Sequence, residues 1–428
     1  VVRRFERTAE EAMMVGRRLF GACALVALLA AGCGGDDESA ADTEVLGATT
    51  VATVDGDESA ATTAAPATTA PPGTTAAAEP AAPGDLLDAE PIDAGGLDAV
   101  AYRVRYASRS VTGDPIEVTG MVIAPDDAAD AADRPVLAVA HGTVGMGDSC
   151  APSANGVDAR SAAFLAPYLE AGYVVAATDY EGLGTPGLHP YVVGESEARG
   201  VVDSVRAARS IDGLGAGDQV VVWGHSQGGH AAVHTAQRWA DLAPELELLG
   251  VAAGAPPSQF PLLADFLKGS PYQGYMVMVA AGFAAAYPDL DLEAILTPVG
   301  VEGLSTLEEG CTAEIFEYYN PLAYEDIVTV PDIFADPAWG AALEENDSNR
   351  RPVDVPLLIL HGEQDDQIPT ASSALLLSQL CALGSAEIER RTYPGVGHGD
   401  APEAYAAELV TWVADRFAGA PAVDQCPA

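Results

Sequence analysis

Ser226 stands alone between glycines in Gly224-His225-Ser226-Gln227-Gly228, directly after the apolar run Val220 to Trp223. A serine hydroxyl is a weak nucleophile at neutral pH. It reacts only when it is aimed and when a nearby base takes its proton. The pentapeptide has the form G-x-S-x-G, in which a strand turns sharply into a helix and carries the serine at the bend. Val220 to Trp223 read as a buried strand, and Gly229 to Trp239 as an alanine-rich helix. Gly224 and Gly228 keep side chains out of the crowded turn. The backbone N–H of Gln227, at the helix start, would face a substrate oxygen gaining negative charge. An ordinary glycine-rich turn could have the same five residues, so the chain must also supply a base, an acid and a second N–H.

The chain has seven histidines to choose from. His398, in "YPGVGHGDA", stands in a loop between an apparent strand and the last helix, where an imidazole could reach Ser226. An exposed loop histidine is the bland alternative. The orienting acid should lie between serine and histidine in chain order. "PLLILHGEQDDQIP" supplies two adjacent aspartates after a strand. Asp365 is the first choice and Asp366 the second; a turn-capping aspartate would explain either equally well. His141-Gly142-Thr143 ends an earlier strand, as the second oxyanion donor requires, so the N–H of Thr143 is the candidate, or that of Val144 if the loop is offset by one. His230 and His234 are four apart on the helix after the elbow, but no glutamate completes H-E-x-x-H. No metal and no cofactor are expected.

These groups need a scaffold. Ala101 to Ser110 and Ile116 to Ala124 alternate as an antiparallel hairpin. Strands then alternate with helices. Val136–Ala140, Tyr173–Thr178, Gln219–Trp223, Leu248–Ala253, Pro356–Leu360 and Glu387–Thr392 read as strands. Ser161–Ala171, Glu195–Ile211, Ser373–Leu383 and Pro402–Phe417 read as helices. Such alternation implies an α/β fold with a mostly parallel sheet covered by helices on both faces. The stretch from about Ser258 to Arg351 breaks the pattern with apolar helical sequence among prolines, and reads as an insertion.

The N-terminal part is different. Arg17-Arg18 precede an apolar run ending in Ala30-Ala31-Gly32-Cys33, which reads as an export signal over residues 1–33. Met13 and Met14 are alternative starts, and Arg17-Arg18 faintly resembles a twin-arginine signal. Cys33 sits where a bacterial lipobox places its lipid-bearing cysteine, although Ala30 replaces the usual leucine. Residues 34–85 are rich in Ala, Thr and Pro, and 34–82 hold no Lys, Arg or aromatic residue. They read as a disordered stalk. The remainder, 86–428, is the folded part. The net charge of −43, with Lys268 the only lysine, argues against nucleic acid as a partner. Outside the signal and Cys33, four cysteines remain: Cys150, Cys311, Cys381 and Cys426. In an exported fold they suggest two disulfides, with three pairings open.

The order His141-Gly142-Thr143, "CAPS", "ATDYEGLGTPGLHPY", "GHSQGGHA", an apolar insertion, "HGEQDDQIP" and His398 resembles the secretory lipase family of the α/β-hydrolase superfamily. The resemblance runs from about Leu86 to the end. It implies a triad of Ser226, Asp365 and His398, an oxyanion hole at Thr143 and Gln227, and a helical cap with a lid over an acyl tunnel. It also implies the pairings Cys150–Cys311 and Cys381–Cys426. The expected protein is an extracytoplasmic serine ester hydrolase, lipase-like, secreted or held to a membrane through Cys33. An exported peptidase, a small-ester esterase and a non-catalytic surface protein are the alternatives.

Overall fold

The computed structural model describes residues 81–126 and 132–427. The expected export signal, Cys33 and most of the expected stalk lie outside the described residues. The chain is already hydrogen-bonded to its neighbouring strand at Gly84 and Asp85, through Ala107.

Nine strands form one sheet in the order β1-β2-β3-β5-β4-β6-β7-β8-β9. They are β1 (Leu86–Ile92), β2 (Ala99–Arg109), β3 (Pro115–Pro125), β4 (Arg134–Ala140), β5 (Val174–Thr178), β6 (Ala216–His225), β7 (Glu247–Gly254), β8 (Leu357–Gly362) and β9 (Ile388–Tyr393). The first three pair antiparallel, and β3 runs antiparallel to β5. From β5 through β4 to β9 all pairs are parallel. β1 was not legible in the sequence: "LLDAEPI" carries Asp88, Glu90 and Pro91, the last of which only an edge strand tolerates.

The parallel strands are apolar on both faces because helices cover both. Helices Gly194–Arg209 and Gln227–Leu242 pack on one face, burying Val201, Val205, Ala231 and Val222. Helices Ala159–Glu170 and Ala401–Phe417 lie on the other, with Trp223, Leu358, Tyr405 and Leu409 between them and the sheet. This is the α/β-hydrolase arrangement. Between β7 and β8 the chain leaves the sheet and forms a helical insertion, from Phe260–Leu267 to Pro337–Glu345. The insertion has its own apolar cluster around Met278, Phe283, Ile315, Tyr319 and Trp339.

Two disulfides, Cys150–Cys311 and Cys381–Cys426, are formed. The first ties the loop after β4 to the insertion. The second fastens the tail to the helix Thr370–Ala382.

Candidate active site

β6 ends at His225, and the helix Gln227–Leu242 begins immediately after Ser226, two residues earlier than its alanine-rich pattern suggested. Ser226 is held at φ 59°, ψ −122°, a conformation that only a constrained non-glycine residue adopts. Its N–H donates to the Gly254 carbonyl at 2.8 Å, and its carbonyl accepts from His230 N–H at 3.0 Å. The glycines are required by close approach. A Cβ on Gly224 would lie 2.1 Å from the Gly228 carbonyl oxygen, and one on Gly228 would lie 2.0 Å from that of Ala140.

His398 reaches the serine from the loop between β9 and the last helix. Its Nε2 lies 2.9 Å from Ser226 Oγ, and its Nδ1 lies 2.7 Å from Asp365 Oδ2. With Asp365 ionised, Nδ1–H donates to the carboxylate and Nε2 is left to accept from the serine hydroxyl. All three side chains are buried. Asp365 Oδ1 accepts the N–H groups of Gln367 and Ile368 at 2.9 and 2.7 Å. Asp366 is exposed and accepts from Tyr272 OH. Burial alone would raise the Asp365 pKa. Hydrogen bonds from His361 and His398 outweigh it and hold the carboxyl well below the usual carboxylate range.

Two histidines that the sequence did not single out support this triad. His361 Nε2 lies 3.3 Å from Asp365 Oδ2 and 3.0 Å from the Ile368 carbonyl, while its Nδ1 pairs with Ser373 Oγ. His225 packs its ring against that of His398, with centroids 4.6 Å apart, and its Nδ1 pairs with Tyr405 OH at 2.8 Å. Burial, reinforced by His398, pushes the His225 pKa down to about 3. A neutral ring therefore lies beside the His398 imidazole. The signal for His361 was its spacing of four from Asp365; nothing in sequence marked Tyr405.

Gln227 occupies the first turn of its helix, where backbone N–H groups have no intrahelical acceptor. Its side chain points away from Ser226. Nε2 donates to His189 Nε2 at 2.8 Å and to Glu197 Oε1 at 3.1 Å. Burial lowers the His189 pKa to about 3, which keeps that ring a neutral acceptor. Glu197 in turn pairs with His230 at 2.6 Å. His230 and His234 both contact the Asn346 carbonyl, and Arg238 donates to His234 Nδ1. All four ring nitrogens of that histidine pair are thus occupied by protein groups. Among the described residues no cluster of three His, Cys, Asp or Glu side chains is placed to hold a metal.

Thr143 lines the same cavity as Ser226 and His398. Its hydroxyl is engaged with Tyr191 OH at 2.7 Å, which leaves the backbone N–H as the group of interest. Gly142 approaches Ser226 closely, since a Cβ there would lie 3.8 Å from Ser226 Cβ. The loop is clamped to the insertion. Met146 and Gly147 donate to the Gly310 carbonyl, and Thr312 donates to that of Val144.

Two cavities meet at Ser226. One, of ≈ 90 Å³, runs into the insertion between Phe260, Leu263, Val279, Phe334, Trp339 and Leu343. The other, of ≈ 400 Å³, lies over the sheet face beneath His398.

Fold and sheet order define an α/β-hydrolase. The secretory lipase family model matches residues 154–425, and the chain belongs to that family. Lipase 6 of Candida albicans is 28% identical over 282 residues, covering 61% of this chain and 59% of that protein. A secreted triacylglycerol lipase of Malassezia globosa is 27% identical over 344 residues, covering 76% and 73%. The chain thus aligns with about three fifths of the Candida relative's length. Among solved structures, Candida antarctica lipase A in its closed state superposes with a TM-score of 0.70 at 22% identity, over 80% of this chain and 84% of that one. A rice cell wall degrading esterase from Xanthomonas oryzae gives 0.66 at 20% identity, over 78% and 98%.

Proposed function

We propose that this protein is a serine carboxylic ester hydrolase of the lipase type. The observation that carries the reading is the hydrogen-bonded line from Ser226 Oγ through His398 to Asp365, set at a strained elbow. Ser226 attacks the ester carbonyl while His398 Nε2 takes the hydroxyl proton. Asp365 fixes the imidazole tautomer and stabilises the imidazolium. The N–H groups of Gln227 and Thr143 receive the oxyanion. His398 then protonates the leaving alcohol, and water repeats the sequence on the acyl-enzyme. The residues need no metal or cofactor for any of these steps.

The apolar cavity in the insertion supports an acyl chain as its occupant. The relatives named as lipases, one of them a secreted triacylglycerol lipase, support a lipid ester. Each methylene buried there adds about 0.8 kcal/mol of transition-state binding, until the cavity is full. The proposed organisation is an export signal (1–33), a stalk (34–85) and a hydrolase domain (86–428) whose cap spans about 258–351. The proposed location is outside the cytoplasm, with Cys33 as lipid anchor; intact mass of membrane-fraction protein should show diacylglycerol there.

The test is hydrolysis of nitrophenyl acetate, butanoate and octanoate, beside one peptide nitroanilide, by the full chain. Octanoate should be preferred and Ser226→Ala should be inactive. Preference for acetate would point to a small-ester esterase, and efficient amide cleavage without ester preference to a peptidase.

A further inference from the structure

The larger cavity is not accounted for by the acyl chain. It opens at Ser226 and descends along the sheet face between the helix Ala159–Glu170 and the start of the last helix. Its depth follows from the strands: Ala177 and Val175, on one face of β5, both line it, two residues or roughly 7 Å apart. A second observation agrees. Val139 is paired on both sides, with Ala177 and with Trp223, in the middle of the sheet. Yet Val139 and Ala177 are only half-buried, whereas Ala138 and Ala176, on the opposite face, are completely covered. The helix layer leaves the sheet open at this point.

We infer that this cavity is the subsite for the leaving alcohol, and that it takes an alcohol with a flat, apolar ring body. The inference rests on the ester-hydrolase reading. Its direction comes from the proton. The leaving oxygen must lie within hydrogen-bond distance of His398 Nε2 to be protonated. His398 and Gly399 line the broad cavity and do not line the narrow one. The acyl chain therefore runs into the insertion and the alcohol runs over the sheet, with Ser226 and Tyr275 common to both.

The chemical class comes from the walls. Phe164 and Trp223 stack with centroids 5.9 Å apart, and both face the cavity along with Ile123, Val139 and Leu165. Several polar atoms at the rim are already used, and His225 Nε2, which has no partner among the described residues, is itself buried. Both nitrogens of His141 face backbone carbonyls, His225 Nδ1 pairs with Tyr405, and Arg160 donates to the Gly399 carbonyl. A sugar would leave its hydroxyls without partners here, and that loss opposes binding. A methyl or ethyl alcohol would leave most of ≈ 400 Å³ unfilled. An aryl or fused-ring alcohol covers Phe164 and Trp223 and strands no polar group.

The experiment uses octanoate esters of methanol, benzyl alcohol and 2-naphthylmethanol, three alcohols of similar acidity, with the full chain. At about fourfold in kcat/KM per methylene-sized increment buried, the naphthylmethyl ester should exceed the methyl ester by at least about tenfold. Ala177→Val and Ala177→Leu, which narrow the cavity from β5, should lower the naphthylmethyl-to-methyl ratio stepwise. The octanoate-to-butanoate ratio, measured with methyl esters, reads the other cavity and should not follow the same steps. A flat alcohol series in the native protein overturns the subsite whatever the variants do, and so do variants that lower both ratios together. If no ester of any series is cleaved, the hydrolase reading fails first and the subsite with it.

Discussion

If Ser226, His398 and Asp365 work together as proposed, their substitutions should not add. Ser226→Ala should abolish turnover. His398→Ala should remove base and proton donor at once, and the double variant should be no worse than either single one. Asp365→Asn should lower kcat by about 10⁴, the order found when the orienting acid of a serine triad is made neutral. Asp366→Asn should change kcat by less than about tenfold, because its carboxylate touches Tyr272 and not the imidazole. Steady-state kinetics on nitrophenyl octanoate checks all four. If the two aspartates behave the other way round, the acid is misassigned. That Ser226, His398 and Asp365 meet was legible in the sequence, since each sits in a short motif with a fixed place in the fold. The residues behind them were not. His225, Tyr405 and Glu197 matter through contacts between segments far apart in the chain, and no local pattern carries that; His361 lies only four residues before Asp365, a spacing that marks no role by itself.

At the scale of elements, the elbow depends on two glycines and the proposed oxyanion loop on one clamp. Gly228→Ala should destabilise the fold by about 1–3 kcal/mol or more in urea unfolding, because its Cβ meets the rigid Ala140 carbonyl. Activity should fall further than stability, since the same shift displaces the N–H of Gln227. The disulfides should separate in the same way. Losing either should lower stability by about 2–4 kcal/mol. Only loss of Cys150–Cys311 should also lower kcat in the folded protein, because that bridge holds the loop bearing Thr143 against the insertion. Cys381–Cys426 joins the tail to the helix Thr370–Ala382 and not to the Thr143 loop, and paired Cys→Ser variants assayed below their melting temperatures distinguish the two cases. Elements were legible wherever hydrophobic period and length agreed, as in β4, β6 and the last helix. They failed where they lie at an edge, as in β1, or where a cap residue advances a boundary, as at Ser226. The insertion was visible as a broken pattern, but its many short helices follow from packing on one another.

For the whole molecule, acid should act through its buried histidines. His189 and His225 are held neutral down to about pH 3, and burial also lowers His234. Unfolded histidines bind protons below about pH 6.5. Between these limits the unfolded chain carries more protons, so stability rises with pH across that window. Asp203, Glu181 and Asp347, raised by burial, act in the opposite sense. The histidine contribution is therefore read as a difference. Between about pH 5 and 6.5 the melting temperature of the native protein should rise more steeply than that of His225→Gln, by calorimetry at matched ionic strength. Parallel slopes would mean that His225 is not kept neutral in the fold.

We propose that Ser226 carries the acyl group during turnover. Rapid quenching of nitrophenyl octanoate with the full chain, followed by peptide mass mapping, tests it most directly. A burst of nitrophenol approaching one per chain is expected, with an octanoyl group on Ser226 that builds up at the rate of the burst and disappears on chase. Steady hydrolysis with no acyl group on Ser226, retained in Ser226→Ala, would contradict it.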